Sequence, residues 1–143
     1  MARINVENIY QTSEGQSFFE LYNYEPMVTA FGQRTIVAVD DYYHQGDSYR
    51  LIADGDEPGQ RYGVLIFGWG SCSGCDALQS CSSFKEVQEL ADSTQDSIKW
   101  FADKEALRKY VVEHDWKGDY SWPDTELHKY LHLVKEFLDS DRD

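Results

Sequence analysis

Three cysteines fall within ten residues of one another in the stretch YGVLIFGWGSCSGCDALQSCSSF, residues 62 to 84. Cys72 and Cys75 form a C-x-x-C pair placed after an apolar run and before a helix start. Free backbone N–H groups and the positive end of a helix can stabilise a thiolate there, so dithiol redox chemistry is one reading. Zinc is another, because Cys72, Cys75 and Cys81 with His114 would make a Cys₃His ligand set. Two features oppose these readings. Asp76, next to Cys75, disfavours a thiolate. A helix running from Cys75 through Cys81 would set their sulfurs about 9 Å apart along its axis and about 240° apart around it. The expectation is therefore that the cysteines are small apolar residues of a corner or core, that no cofactor is held, and that zinc is the alternative.

A second group of residues suits recognition. The connection HDWKGDYSW, residues 114 to 122, gathers Trp116, Tyr120 and Trp122 around Gly118, and the turn DDYYHQGDSY carries Tyr42, Tyr43 and Tyr49 among aspartates. Such rings can close the end of a core or act as anchors in an interface. The expected partner-binding set is Asp40, Asp41, Tyr43, Asp47, Trp116, Asp119 and Trp122. His128, His132 and Glu136 repeat every four residues, which aligns them on one side of a helix. Without a glutamate between the histidines in the zinc-peptidase pattern, they read as a solvent-facing boundary. No Ser-His-Asp arrangement is indicated, and whether the chain is an enzyme stays open.

These groups must be positioned by two halves of different periodicity. Residues Ser17 to Tyr24, Arg34 to Asp40, Ser48 to Asp54 and Tyr62 to Phe67 are rich in β-branched and aromatic types and are separated by turn formers such as Asp54-Gly55 and Pro58-Gly59. The gaps are too short for helical crossovers, so antiparallel pairing is expected. After Trp69 the period becomes helical. Ser83 and Glu86 have capping-box spacing ahead of a helix reaching about Thr94. Ile98 to Phe101 reads as a short strand, and Asp103 caps a helix whose stripe is Leu107, Tyr110 and Val111, with His114 on the same side. A last helix begins at Pro123 or Asp124 and buries Leu127, Tyr130, Leu131, Val134 and Leu138, with Phe137 at the margin. The expected fold is α+β: an antiparallel sheet from the N-terminal half, helices packed on one face, and residues 1 to 143 as one domain.

The 143 residues hold 26 acids against 13 lysines and arginines, a formal charge of −13. Residues 1 to 60 hold 10 acids and three bases, the remainder 16 acids and 10 bases, so the charge is a coat and not a tail. A balance this acidic argues against direct nucleic-acid or anionic-membrane binding. The longest strongly apolar run, Tyr62 to Trp69, is far short of a bilayer span, and the N-terminus lacks the apolar stretch of a signal peptide. An odd, clustered cysteine count suits a reducing compartment, so a cytoplasmic location is expected.

Two resemblances add to this. The placement of WGSCSGC is similar to the dithiol turn of thioredoxin-like proteins, although Pro123 is the sole proline after the cysteines and the first half lacks their strand and helix alternation. Residues 62 to 122, through GWGSCSGCDALQ, SIKWF and HDWKGDYSW, resemble small, acidic, uncharacterised proteins of bacteriophages and bacteria. That resemblance implies a phage accessory or anti-defence role, with a host protein as partner. Two function classes follow. One is a noncatalytic acidic domain that binds, and by imitating phosphate spacing inhibits, a nucleic-acid-binding host protein. The other is a zinc or thiol-redox protein centred on Cys72, Cys75 and Cys81.

Overall fold

In the computed structural model, residues 3–10, 24–40, 45–55, 60–70, 77–78, 80–114, 116 and 125–140 are described. Their elements in chain order are α1 (Val6–Ile9), α2 (Glu25–Phe31), β1 (Arg34–Asp40), β2 (Gln45–Asp54), β3 (Arg61–Gly70), α3 (Phe84–Asp96), β4 (Lys99–Phe101), α4 (Lys104–Glu113) and α5 (Thr125–Asp139). The four strands form an antiparallel sheet in the order β1-β2-β3-β4. This is the expected α+β arrangement, with the C-terminal helices packed against a sheet built largely from the first half. No helix among the described residues is long and apolar enough to cross a membrane.

Local chemistry sets the helix starts. Ser83 accepts a hydrogen bond from Glu86 N at 3.3 Å, and Asp103 accepts from Ala106 N at 2.8 Å, so each satisfies an amide that has no partner inside its own helix. The reciprocal half of the capping box is displaced by one residue. The Glu86 carboxylate accepts from Ser82 N at 3.0 Å and from the Ser82 hydroxyl, and these contacts hold its pKa below the usual carboxylate value.

Two expectations about the elements change. Residues 17 to 23 of the expected first strand lie outside the described residues, but Tyr24 has helical backbone angles and leads into α2. Pro26 sits in the first turn of that helix, where its missing N–H costs no hydrogen bond, and Met27, Val28 and Phe31 form its buried side. The short α1 was also not anticipated; Asn5 caps it by accepting from Glu7 N.

The helices occupy both faces of the sheet. On one, α4 and α5 bring Leu107, Val111, Leu127, Tyr130, Val134 and Leu138 against Val37, Val39, Tyr49, Leu51, Tyr62 and Val64. Tyr130 donates its hydroxyl hydrogen to Arg50 O at 2.7 Å, which ties α5 to the middle of β2. On the other face, α3 joins α1 and α2, whose Val6, Met27, Val28 and Phe31 pack with Ile52, Leu65, Val87 and Ala91. Gln88 of α3 accepts from Val6 N at 3.1 Å and donates to Ile4 O at 2.8 Å. The cause is readable in β2 and β3. Leu51-Ile52-Ala53 and Val64-Leu65-Ile66 are apolar without alternation, as in strands covered on both sides, so the single helical layer first expected would leave Ile52 and Leu65 in water.

Candidate functional site

The end of the sheet where β1 stops, β2 starts and β3 stops carries Asp40 and Asp47. Side chains alternate along β2, so Asp47 and Tyr49 point to the α5 face while Ser48 and Arg50 point to the α2 face. Asp40 pairs with Ser48 in register and so shares its face. Asp40 and Asp47 thus sit at one end of the sheet but on opposite sides of it. The geometry does not gather them into one patch.

On the α2 side, Asp40 belongs to a polar cluster centred on a buried cation. The Arg50 side chain is only 6% exposed, and its Nη2 lies 2.7 Å from Glu25 Oε1 and 3.4 Å from Asp40 Oδ1. Its Nε donates to Ser48 Oγ at 3.0 Å, and the Ser48 hydroxyl donates to Asp40. The guanidinium also sits 5.9 Å from the Phe67 ring centroid, and Phe67 contacts Tyr24 at 4.9 Å. Burial alone would lower the pKa of Arg50; the hydrogen bond and charge of Glu25, then those of Asp40, outweigh it and the value rises. Glu25 and Arg50 were not anticipated as a pair. The available signal was a lone arginine inside the otherwise apolar run Tyr49 to Ala53, a position that calls for a buried counter-charge.

Of the cysteines, Cys72 and Cys75 lie outside the described residues. Cys81 is half-buried beside the α2-side core, and its thiol donates to Ala77 O at 3.4 Å. Residues 77, 78 and 80 form a turn, and Tyr24 accepts from Leu78 N at 3.0 Å to hold it. Residues 77, 78, 80 and 81 are not helical, so no continuous helix sets Cys81 apart from Cys75. His114 nevertheless lies apart from Cys81. It ends α4 with extended backbone and stacks on Tyr110 at 4.7 Å on the α4 and α5 side, so the sheet stands between it and Cys81. Among the described residues, no group of three or more His, Cys, Asp or Glu residues could hold a metal ion.

Trp116 is half-buried against the α5-side core. Its ring lies 4.7 Å from His114 and 5.5 Å from Tyr110, and its Nε1 donates to Val111 O at 3.0 Å. This ring caps a core and holds the helix end. Asp41, Tyr43, Asp119 and Trp122 lie outside the described residues. His132 Nε2 is 3.1 Å from Glu136 Oε1, with both side chains largely in solvent.

Tyr10 is a further buried polar group near Glu25 and Cys81. Burial raises the pKa of its phenol far above the ordinary 10.0, opposed by a hydrogen bond with the Met27 backbone and reinforced by the nearby charges of Glu25 and Cys81. A raised folded-state value means that the stability contributed by this group is fully present below about pH 10 and is lost as pH climbs further, where the unfolded chain ionises first. The urea midpoint should accordingly fall between about pH 8 and about pH 11, and Tyr10→Phe should make that fall shallower. Equal falls in both proteins would refute the assignment.

Comparison of the chain with family models, curated proteins and solved structures gives no match in any of the three.

Proposed function

We propose that the chain is a noncatalytic acidic domain that binds a host protein, and that this partner is a nucleic-acid-binding protein whose basic site the domain occupies, in the manner of a phage accessory or anti-defence inhibitor. The observation that carries this reading is a charge of −13 combined with the burial of Arg50. One of the few cations of the first half is inside the fold, and Arg3, Arg61 and Arg108 each lie within 3 Å of a carboxylate. These four arginines thus compensate particular acids. A field of one sign steers a basic partner toward the domain and repels nucleic acid.

The test is capture of the partner, its identification, and titration of the pair. Affinity should fall by about tenfold or more as salt rises from about 0.05 M to about 0.5 M, because the screening length shrinks from about 14 Å to about 4 Å. The triple change Asp41→Asn, Asp47→Asn and Asp119→Asn should weaken binding in the same direction while the fold stays intact. Salt-insensitive binding, or no change in the triple variant, rejects charge as the determinant. Competition with DNA or RNA for the partner supports occupation of its nucleic-acid site, and simultaneous binding removes that part of the proposal.

A second reading, the zinc or thiol protein centred on Cys72, Cys75 and Cys81, is favoured by one observation: the turn at residues 77, 78 and 80 takes away the helical offset that counted against it. Stoichiometric zinc in protein purified without chelator, lost on Cys72→Ser, selects this reading over the first.

A further inference from the structure

Among the described strands, β1 has a neighbour on one side only, so half of its main-chain N–H and C=O groups face away from the sheet. Ala38, in the middle of the strand, is exposed. The pairing with β2 slips between Thr35 and Val37, and this bulge turns Ile36 toward the same side as Val37, against the α5-side core. The result is a groove of about 750 Å³ running between the edge of β1 and α5, with Ile36, Val37, Leu133 and Phe137 as its apolar floor and Arg34 and Glu136 on its walls. An edge strand beside an apolar groove is the geometry that accepts an added strand: the main chain supplies hydrogen bonds, and the groove takes alternate side chains.

We infer that the β1 edge is the docking site for an extended, basic segment of a partner protein, one in which aliphatic residues alternate with lysine or arginine. The inference rests on the acidic-recognition reading and adds to it the place and the form of the partner. Charge selects the occupant. The domain carries −13, and on the groove wall the Glu136 carboxylate, more than half exposed, faces Arg34, the single cation there among the described residues, while Asp40 at the end of β1 is turned to the other side of the sheet and held by Arg50. A second copy of this chain would bring the same −13 to the edge and be repelled. The bulge interrupts regular pairing at Ile36, so the added segment pairs from Val37 to Asp40 and sends its apolar side chains over Ile36 toward Phe137.

The test uses a labelled, end-capped peptide of alternating lysine and valine, seven residues long to match β1, with three controls. The first is the same peptide N-methylated at alternate residues, in each of the two phases. The second replaces lysine by glutamate, and the third is the full-length variant Ile36→Lys, with circular dichroism to establish that it folds. Fluorescence anisotropy should show binding of the parent peptide and a loss of about tenfold or more in one N-methylated phase, since two or three main-chain hydrogen bonds are removed while charge and apolar area are kept. The glutamate peptide should not bind, and Ile36→Lys should weaken the parent peptide. Amide exchange should slow at residues within Val37 to Asp40 when the peptide is present. Equal binding of both N-methylated phases and the parent, or protection confined to other elements, overturns the edge proposal. Such a result leaves acidic recognition standing if the captured partner still binds in a salt-dependent way, whereas the absence of any salt-dependent partner removes the reading beneath it. These two failures are read in separate experiments.

Discussion

Arg50→Met is expected to lower the unfolding free energy by about 2 kcal/mol, read as a shift of the urea midpoint at unchanged slope. Arg50 is the only described arginine with a buried side chain, and it holds three groups at once: Glu25 at 2.7 Å, Ser48 at 3.0 Å and Asp40 at 3.4 Å. A hydrogen bond to a charged group contributes about 1.5–3 kcal/mol, which would sum to more than the stated figure. The discount comes from the two carboxylates. Their side chains are 56% and 53% exposed, so once the guanidinium is gone they rehydrate and do not remain as uncompensated buried charges. Methionine keeps much of the apolar stem, which isolates the polar part of the effect. Glu25→Gln should cost less than Arg50→Met, because Asp40 and Ser48 still hold the guanidinium. An Arg50→Met protein as stable as the wild type would sink the view that this cluster joins α2 to the sheet end.

Gly63→Ala is expected to cost a similar amount, about 2 kcal/mol, for a steric reason. Gly63 lies in β3 opposite Ile52 on one side and Trp100 on the other. A methyl group added there would stand 2.9 Å from Ile98 Cγ2, 3.0 Å from Trp100 Cζ3 and 3.1 Å from Ile52 Cγ1. Ile52 is fully buried and Ile98 nearly so, which leaves little room to retreat. Arg61 covers Trp100 at 4.2 Å from the ring centroid and is itself held by Asp54 at 2.9 Å. The gain of up to about 1 kcal/mol from restricting the unfolded chain does not offset three simultaneous close contacts. Thermal unfolding should show a drop of several degrees, and Ile98→Ala introduced on top of Gly63→Ala should cost less than it does in the wild type, because it vacates the nearest obstacle. Additive costs would mean that the strain is relieved elsewhere.

What the sequence determined by itself is what depends on neighbours a few positions away. Strand β1 spans the stretch from Arg34 to Asp40 that its β-branched residues mark, and Ser83 and Asp103 start the helices for which their side-chain oxygens suit them. Of the stripe Leu127, Tyr130, Leu131, Val134 and Leu138, all but Leu131 are buried, and Leu131 packs half-buried against the same core. Those outcomes follow from hydrogen bonds and periodicity local to each segment. Tertiary structure decided the rest. The expected first strand ends at Tyr24 and no element is expected over residues 25 to 31, yet Tyr24 leads into the helix Glu25–Phe31, whose Met27, Val28 and Phe31 find an apolar sheet face to cover. Whether a helix lies on the near or far face is a long-range choice, so the separation of His114 from Cys81 could not be read from their spacing. The same is true of Asp40 and Asp47: seven positions apart in sequence and equally acidic, they are sent to opposite faces by the register of β1 against β2, and one is committed to Arg50 because that arginine, alone in an apolar strand, had to bring its counter-charges with it.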